Sequence, residues 1–366
     1  MTTQQTETAP EEVEGLGEDE DASWGDYPID TVLIRPESRT VHDVLRRIEQ
    51  GSFVMDPEFQ RDFIWEKDKQ SKLIESVLMR IPLPVFYLAE DDLGRMVVVD
   101  GLQRLTTFQR FVGNELQLKL PNQAELNTKQ FKDLSPKLQN RIEDCNLILY
   151  VIDAKVPERV RLDIFERVNG GVPLTKQQMR NCLFMGEATR FLKTEAATDI
   201  FLEATGRSLR TSTMRDREFV NRFCAFQLLP LEDYREMDEF LAQGLREMNN
   251  FEPGDVRSLS AELQTSLTTN LKVFGKHAFR KHRRRNDSRS VLNASLWDVM
   301  STGLSRYPEH LVASRAGALR KAFYRLMDDD AFVKAITYGT NDRKRVRQRF
   351  GIAQAMLREV FDAHSA

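Results

Sequence analysis

From Ile29 to about Val172 the spacing of apolar residues switches between extended and helical periods; beyond Leu174 it is helical almost throughout. Thr40 precedes Val41, Val44, Leu45 and Ile48, a stripe with helical spacing closed by Gly51, which predicts a capped helix. Residues 53–65, FVMDPEFQRDFIW, predict a short strand entering a loop at Pro57. Residues 66–84 predict a helix that buries Leu73, Ile74, Val77 and Leu78, and Pro82 and Pro84 forbid its continuation. Residues 85–100 predict a β-hairpin turning at Asp91–Gly94. A helix with Leu105, Phe108 and Phe111 on its inner face follows and ends near Gly113-Asn114. A strand at 147–153 and a helix at 159–168 complete this half.

In PLTKQQMRNCLF, Thr175 as N-cap and Gln178 three residues on form a capping box. Stretches at 187–205, 216–249, 257–280, 290–304, 311–327 and 342–363 carry helical spacing, with no repeat at a fixed period. The fold class is therefore α+β: a mixed N-terminal domain over 29–174, then an all-helical domain over 175–366.

Charge changes the picture at the N-terminus. Residues 1–30 hold ten acidic residues and no Lys or Arg, whereas the rest carries 53 basic and 46 acidic residues. Residues 1–28 are too polar to pack and predict a disordered acidic tail, dispensable for folding. The weaker alternative is self-inhibition of a basic surface. The longest clear apolar run, Leu147–Ile152, is strand-sized, so no membrane span is expected, and the N-terminus does not read as a secretory signal. Cys145, Cys182 and Cys224 are far apart with no CxxC pair, which favours a reducing cytoplasm over disulfides or zinc.

The candidate chemistry begins at RMVVVDGLQRLTTFQRF, residues 95–111. A strand entering a helix exposes unpaired N–H groups, a ready anion site, and Gly101 permits a tight turn and close approach of a ligand. Arg104 in the first helical turn opposes the helix dipole unless an anion offsets it, and a bound phosphate would do so. Gln103 suits a phosphate or a base, and Asp100 a cap, metal or water. Against this stands a plain turn with solvated Gln and Arg. A second Gln-Arg pair, Gln60-Arg61, lies among Phe59, Phe63 and Trp65, aromatics that suit core anchors. A third cluster, FERVNGGVPLT, places Asn169, Gly170 and Gly171 in a tight loop before the capped helix, which also reads as an interdomain turn. P-loop, dinucleotide-binding, H-E-x-x-H and G-x-S-x-G signatures do not occur. Two basic runs, FRKHRRRNDSR (279–289) and NDRKRVRQRF (341–350), suit phosphate contacts, but equally an exposed loop and the solvated face of a packed helix.

Taken in order, FQRDFIW, LIESVLMRIPLPVFYL, VVVDGLQRLTTF and FERVNGGVPLT resemble the N-terminal domain of GmrSD-type modification-dependent restriction enzymes over about residues 29–185. The resemblance implies a fold similar to ParB and sulfiredoxin. It also implies binding and hydrolysis of nucleoside triphosphate with Mg2+, and sensing of modified DNA. Asp100, Gly101, Gln103 and Arg104 match the family's D-G-Q-Q-R block, with Leu102 departing from it. Gln60 and Arg61 match the Q-R block, and Asn169 and Gly171 the N-x-G block. On that reading Asp100 and Arg61 are catalytic, and Gln60, Arg61, Gly101, Gln103, Arg104, Asn169 and Gly171 bind nucleotide. The His-Asn-His nuclease signature is not found in the helical half, so a separate nuclease or other defence protein is the expected partner. The alternative is a non-enzymatic DNA-binding or adaptor protein of the same fold.

Overall fold

The computed structural model describes residues 13–16, 34–55, 65–91, 93–156, 160–161, 164–165, 167 and 175–362. Its contacts group into two compact units, residues 26–174 and residues 175–366 together with 1–25. The fold is mixed α and β in the first and helical in the second.

The first strand, β1 (Val13–Glu14), belongs to the helical unit. The α+β unit contains β2 (Ile34–Thr40), α1 (Val41–Glu49), β3 (Phe53–Val54), α2 (Lys67–Leu78), β4 (Phe86–Glu90), β5 (Met96–Asp100), α3 (Leu102–Val112), α4 (Pro136–Glu143) and β6 (Asn146–Ile152). Its sheet has the order β2-β6-β4-β5-β3. The β2–β6 and β4–β5 pairs are antiparallel; β6–β4 and β5–β3 are parallel.

Local chemistry sets each boundary. The Thr40 hydroxyl accepts the Asp43 N–H and starts α1. After α2 the chain turns through Arg80 at φ 59°, just before the two prolines. In the hairpin turn, Asp91 Oδ1 accepts the N–H groups of Leu93 and Arg95, and its Oδ2 accepts Arg95 Nε. Strand alternation sends Leu147, Leu149 and Val151 of β6 inward, with Phe86, Leu88 and Val98 beside them. Val44, Ile74, Leu105, Phe108 and Ile142 from the four helices pack on that face. Of the helix expected at 159–168, the described residues 160, 161, 164, 165 and 167 are helical.

The helical unit starts on the expected capping box: the Thr175 hydroxyl accepts the Gln178 N–H, and Gln178 Oε1 accepts the Thr175 N–H. At its centre Arg222 donates to both oxygens of Asp298, at 2.8 and 2.6 Å. Arg349 donates to Asp298 Oδ2 at 2.8 Å, and all three side chains are fully buried. The triad joins helices Arg215–Leu228, Ala294–Leu304 and Arg343–Phe361. Trp297 beside it donates its indole N–H to the Phe219 carbonyl at 2.7 Å.

Three expectations change. The tail expected to be solvated is packed at residues 13–16, where β1 pairs in parallel with β7 (Leu292–Asn293). Backbone pairing and an ion pair from Glu14 to Lys281 overcome the low hydrophobicity of the segment. The basic run at 279–289 is not simply an exposed loop, because Arg280 and His282 are buried. Nor is the helix at 341–350 basic only on a solvated face, since Arg349 turns into the triad. No helix among the described residues is long and apolar enough to cross a membrane, and the three cysteines are free.

Two outcomes are expected. Asp298→Asn leaves two buried guanidinium groups without a carboxylate and should cost roughly 3–5 kcal/mol in urea unfolding. Acid should also weaken the helical unit through His277 and His282, which stack at 4.7 Å and are both buried. Burial lowers both pKa values below the ordinary imidazole range. Lys276 lowers His277 further, while Asp287 pulls both back up. The unfolded chain then takes up protons below about pH 6.5 that the folded chain refuses, so stability is level above that and falls as pH drops toward 5. His282→Phe should flatten the fall in urea midpoint between pH 7.5 and 5.5.

Candidate functional site

The site of interest is built where β5 hands over to α3. Val97, Val98 and Val99 are buried and the strand ends on Asp100. Opposite, Leu88 pairs with Val98 and Tyr87 with Asp100, so Val99 is an extra residue on β5. Such bulges re-aim the residue that follows, and they concentrate next to functional sites. Tyr87 also stacks on Tyr150 across β4 and β6, with ring centroids 5.6 Å apart.

Gly101 then takes φ +100° as the N-cap of α3. A Cβ there would lie 2.2 Å from Phe86 Cδ1, and Phe86 is fully buried, so nothing larger than glycine fits. Gly101 has no side chain to cap the helix, so the N-cap residue itself does not compete with a ligand for the first-turn N–H groups.

Arg104 does not reach outward from this turn. It is 8% exposed and folds back under the loop. Its Nη2 donates to Asp100 Oδ2 at 2.7 Å and to the Val85 carbonyl at 3.0 Å, and Nη1 donates to the Pro84 carbonyl. The guanidinium lies over the Phe86 ring, 4.1 Å from its centroid. Burial lowers its pKa and Asp100 opposes that shift; an arginine so held remains charged. The anion that an arginine at this position requires is therefore Asp100, not a bound phosphate. Sequence reasoning missed the inward fold of Arg104 because the two carbonyls that hold it there lie 19 and 20 residues upstream.

Gln103 is half-buried and its Oε1 has no hydrogen-bond partner among the described residues. An unpartnered buried acceptor is costly, which marks it as a group that waits for a donor. Gln70, overlooked in the sequence, is 3% exposed. It donates to the Trp65 carbonyl at 2.7 Å and accepts from Arg110 at 3.0 Å, fixing the chain where it enters α2. No pattern marked it, because a lone Gln at the start of a helix is usually solvated. Gln60, Arg61, Asn169 and Gly171 lie outside the described residues. The structure thus brings Asp100, Gly101, Gln103 and Arg104 into one turn.

Residues 41–185 match a family model, the N-terminal domain of GmrSD restriction endonuclease. That stretch, a little under half of the chain, is similar to the GmrSD N-terminal domain. The match runs from α1 through the helix Lys176–Leu183 and so includes the whole described turn. Neither the curated proteins nor the solved structures give a match to the chain. The domain connects the chain with restriction and phage defence.

Arg104→Ala in this domain strips a half-buried ion pair, two carbonyl contacts and a ring stack. It is expected to lower ligand-free stability by about 3 kcal/mol in denaturant melts, whereas a solvated arginine would cost under about 0.5 kcal/mol.

Proposed function

We propose that the Asp100–Arg104 turn is the nucleotide-phosphate site of a module that binds and hydrolyses nucleoside triphosphate within a DNA-modification-sensing, phage-defence system. The observation that carries this reading is the pairing of an uncapped helix start with the unpartnered Gln103 Oε1. First-turn N–H groups suit phosphate oxygens, and Gln103 Oε1 suits a donor such as a base amino group or a water bound to a metal. Arg104 acts as a positioning residue: it fixes Asp100 and the Pro84–Val85 strand entry, and so the shape of the turn.

Among the described residues no group of three His, Cys, Asp or Glu side chains could hold a metal. That fits Mg2+ carried chiefly by phosphate, which needs only one carboxylate from the protein. Asp100, about one-third exposed and paired through Oδ2, is that carboxylate. When bound, the ion screens phosphate charge and favours attack by water. By resemblance, Arg61 offsets charge on the transferred phosphoryl group, while Gln60, Asn169 and Gly171 line the nucleotide.

A second reading, a DNA-binding or adaptor protein, is favoured by one feature of the helical unit. Arg235, Arg343 and Arg347 lie close enough that, after desolvation, their like charges lower the Arg343 pKa. A polyanion would relieve that repulsion. In either reading the partners are DNA and a separate nuclease or defence protein, and the setting is the cytoplasm.

Calorimetric titration with several nucleoside triphosphates, with and without Mg2+, tests the first reading. Gln103→Ala should weaken binding about tenfold while leaving the ligand-free unfolding midpoint unchanged, because Oε1 makes no bond to any of the described residues. Heats absent for every triphosphate, or unchanged in the variant, would sink it. Salt-dependent binding of duplex DNA in place of nucleotide would support the second.

A further inference from the structure

Four residues of the acidic N-terminal segment meet a surface that reads them individually. Val13 and Glu14 pair with Leu292 and Asn293. The Glu14 carboxylate accepts from Lys281 and, at 3.3 Å, from Asn293 Nδ2. Thr340 Oγ1 donates to the Gly15 carbonyl at 2.9 Å, and Asn341 Nδ2 to the Leu16 carbonyl at 3.0 Å. Gly15 has φ +77°, and a Cβ would stand 3.2 Å from the Ile336 carbonyl oxygen and 3.3 Å from Asn293 Nδ2. Asn293 Nδ2 also donates to the Ile336 carbonyl at 2.9 Å and its Oδ1 accepts the Leu296 N–H at 2.8 Å, so this side chain is oriented by the fold of the helical unit itself. These are the components of peptide recognition by strand addition: backbone pairing, one charge and one position that must be glycine.

Charge continues the match beyond the contact. In sequence, Glu11 and Glu12 precede the segment and Glu18, Asp19, Glu20 and Asp21 follow it. The receptor residues Lys281 and Asn341 are followed by the exposed Arg283, Arg284 and Arg285 and by the exposed Arg343, Lys344 and Arg347. Like charges on the receptor and opposite charges on the segment favour docking and make it salt-dependent.

We propose that the helical unit carries a recognition groove for an extended acidic segment with glycine at its third position. The chain occupies this groove with its own Val13–Leu16 as a releasable clasp. The α+β unit lies in sequence between the clasp and Thr175, so docking links both of its ends to the helical unit. Release leaves one link. The contact is small: a two-residue strand and an ion pair whose side chains are 26% and 31% exposed. Such contacts open far below the free energy of global unfolding. The segment and its groove belong to one chain, so intramolecular docking is favoured over a peptide in trans.

The test uses the full chain. Hydrogen exchange at residues 13–16 and protease cleavage within the first 33 residues are followed in wild type, Glu14→Lys, Lys281→Glu, the double reversal and Gly15→Val. Each single variant should speed exchange and cleavage about tenfold, and the double reversal should return them to within about threefold of wild type. Glu14→Lys and Gly15→Val lie on the segment, so they leave the helical unit intact. A fluorescent peptide of residues 8–20 should then bind Gly15→Val protein and not wild type. Equal exchange and cleavage in wild type and Gly15→Val, or no peptide binding by the Gly15→Val protein, would overturn the clasp.

Discussion

The guanidinium of Arg104 fixes the geometry of the candidate site. It reaches from the first turn of α3 to the end of β5 through Asp100, to the entry of β4 through the Pro84 and Val85 carbonyls, and rests on the Phe86 ring. Three elements are thereby held by one rigid, permanently charged fork, which a flexible ammonium would not replace. The requirement extends to its neighbours. Gly101 must be glycine because Phe86, the floor under Arg104, occupies the space a Cβ would need. The bulge at Val99 lets Asp100 face this assembly at the strand end. A side chain that looked like a ligand contact is thus the strut that shapes the helix start where a ligand would sit.

The helical unit solves a similar problem with buried charge. Asp298 is shared by Arg222 and Arg349, one carboxylate for two guanidinium groups. Such clusters add little net stability over apolar packing, but they punish any rearrangement that separates the partners. They therefore hold three helices in one register. The same unit binds the N-terminal segment by hydrogen bonds and a partly exposed ion pair. One contact is dry and permanent, the other wet and readily opened, and burial makes the difference.

The turn Asp100–Arg104 was legible as a tight strand-to-helix turn, because a strand ending in Asp-Gly ahead of an amphipathic helix can form only a few structures. The assignment of individual roles was not legible. Arg104 and Gln103 are neighbours in sequence, yet one points into the fold and the other carries a buried oxygen with no partner among the described residues. Gln70 gave no signal, since its partners Trp65 and Arg110 come together only after α2 and α3 pack.

Periodicity, prolines and capping residues determined which segments are helix and strand, where the hairpin turns, and where the helical half begins, because these follow from interactions within a few residues of chain. Tertiary structure decided everything that required groups distant in sequence. It set the sheet order β2-β6-β4-β5-β3, the Pro84 and Val85 carbonyls under Arg104, the burial of Arg349 and the docking of Val13–Leu16 more than 270 residues from its partner strand. The acidic segment is the clearest case. Its composition gives no reason to fold, and only a surface assembled from Lys281, Asn293, Thr340 and Asn341 makes ordering it favourable.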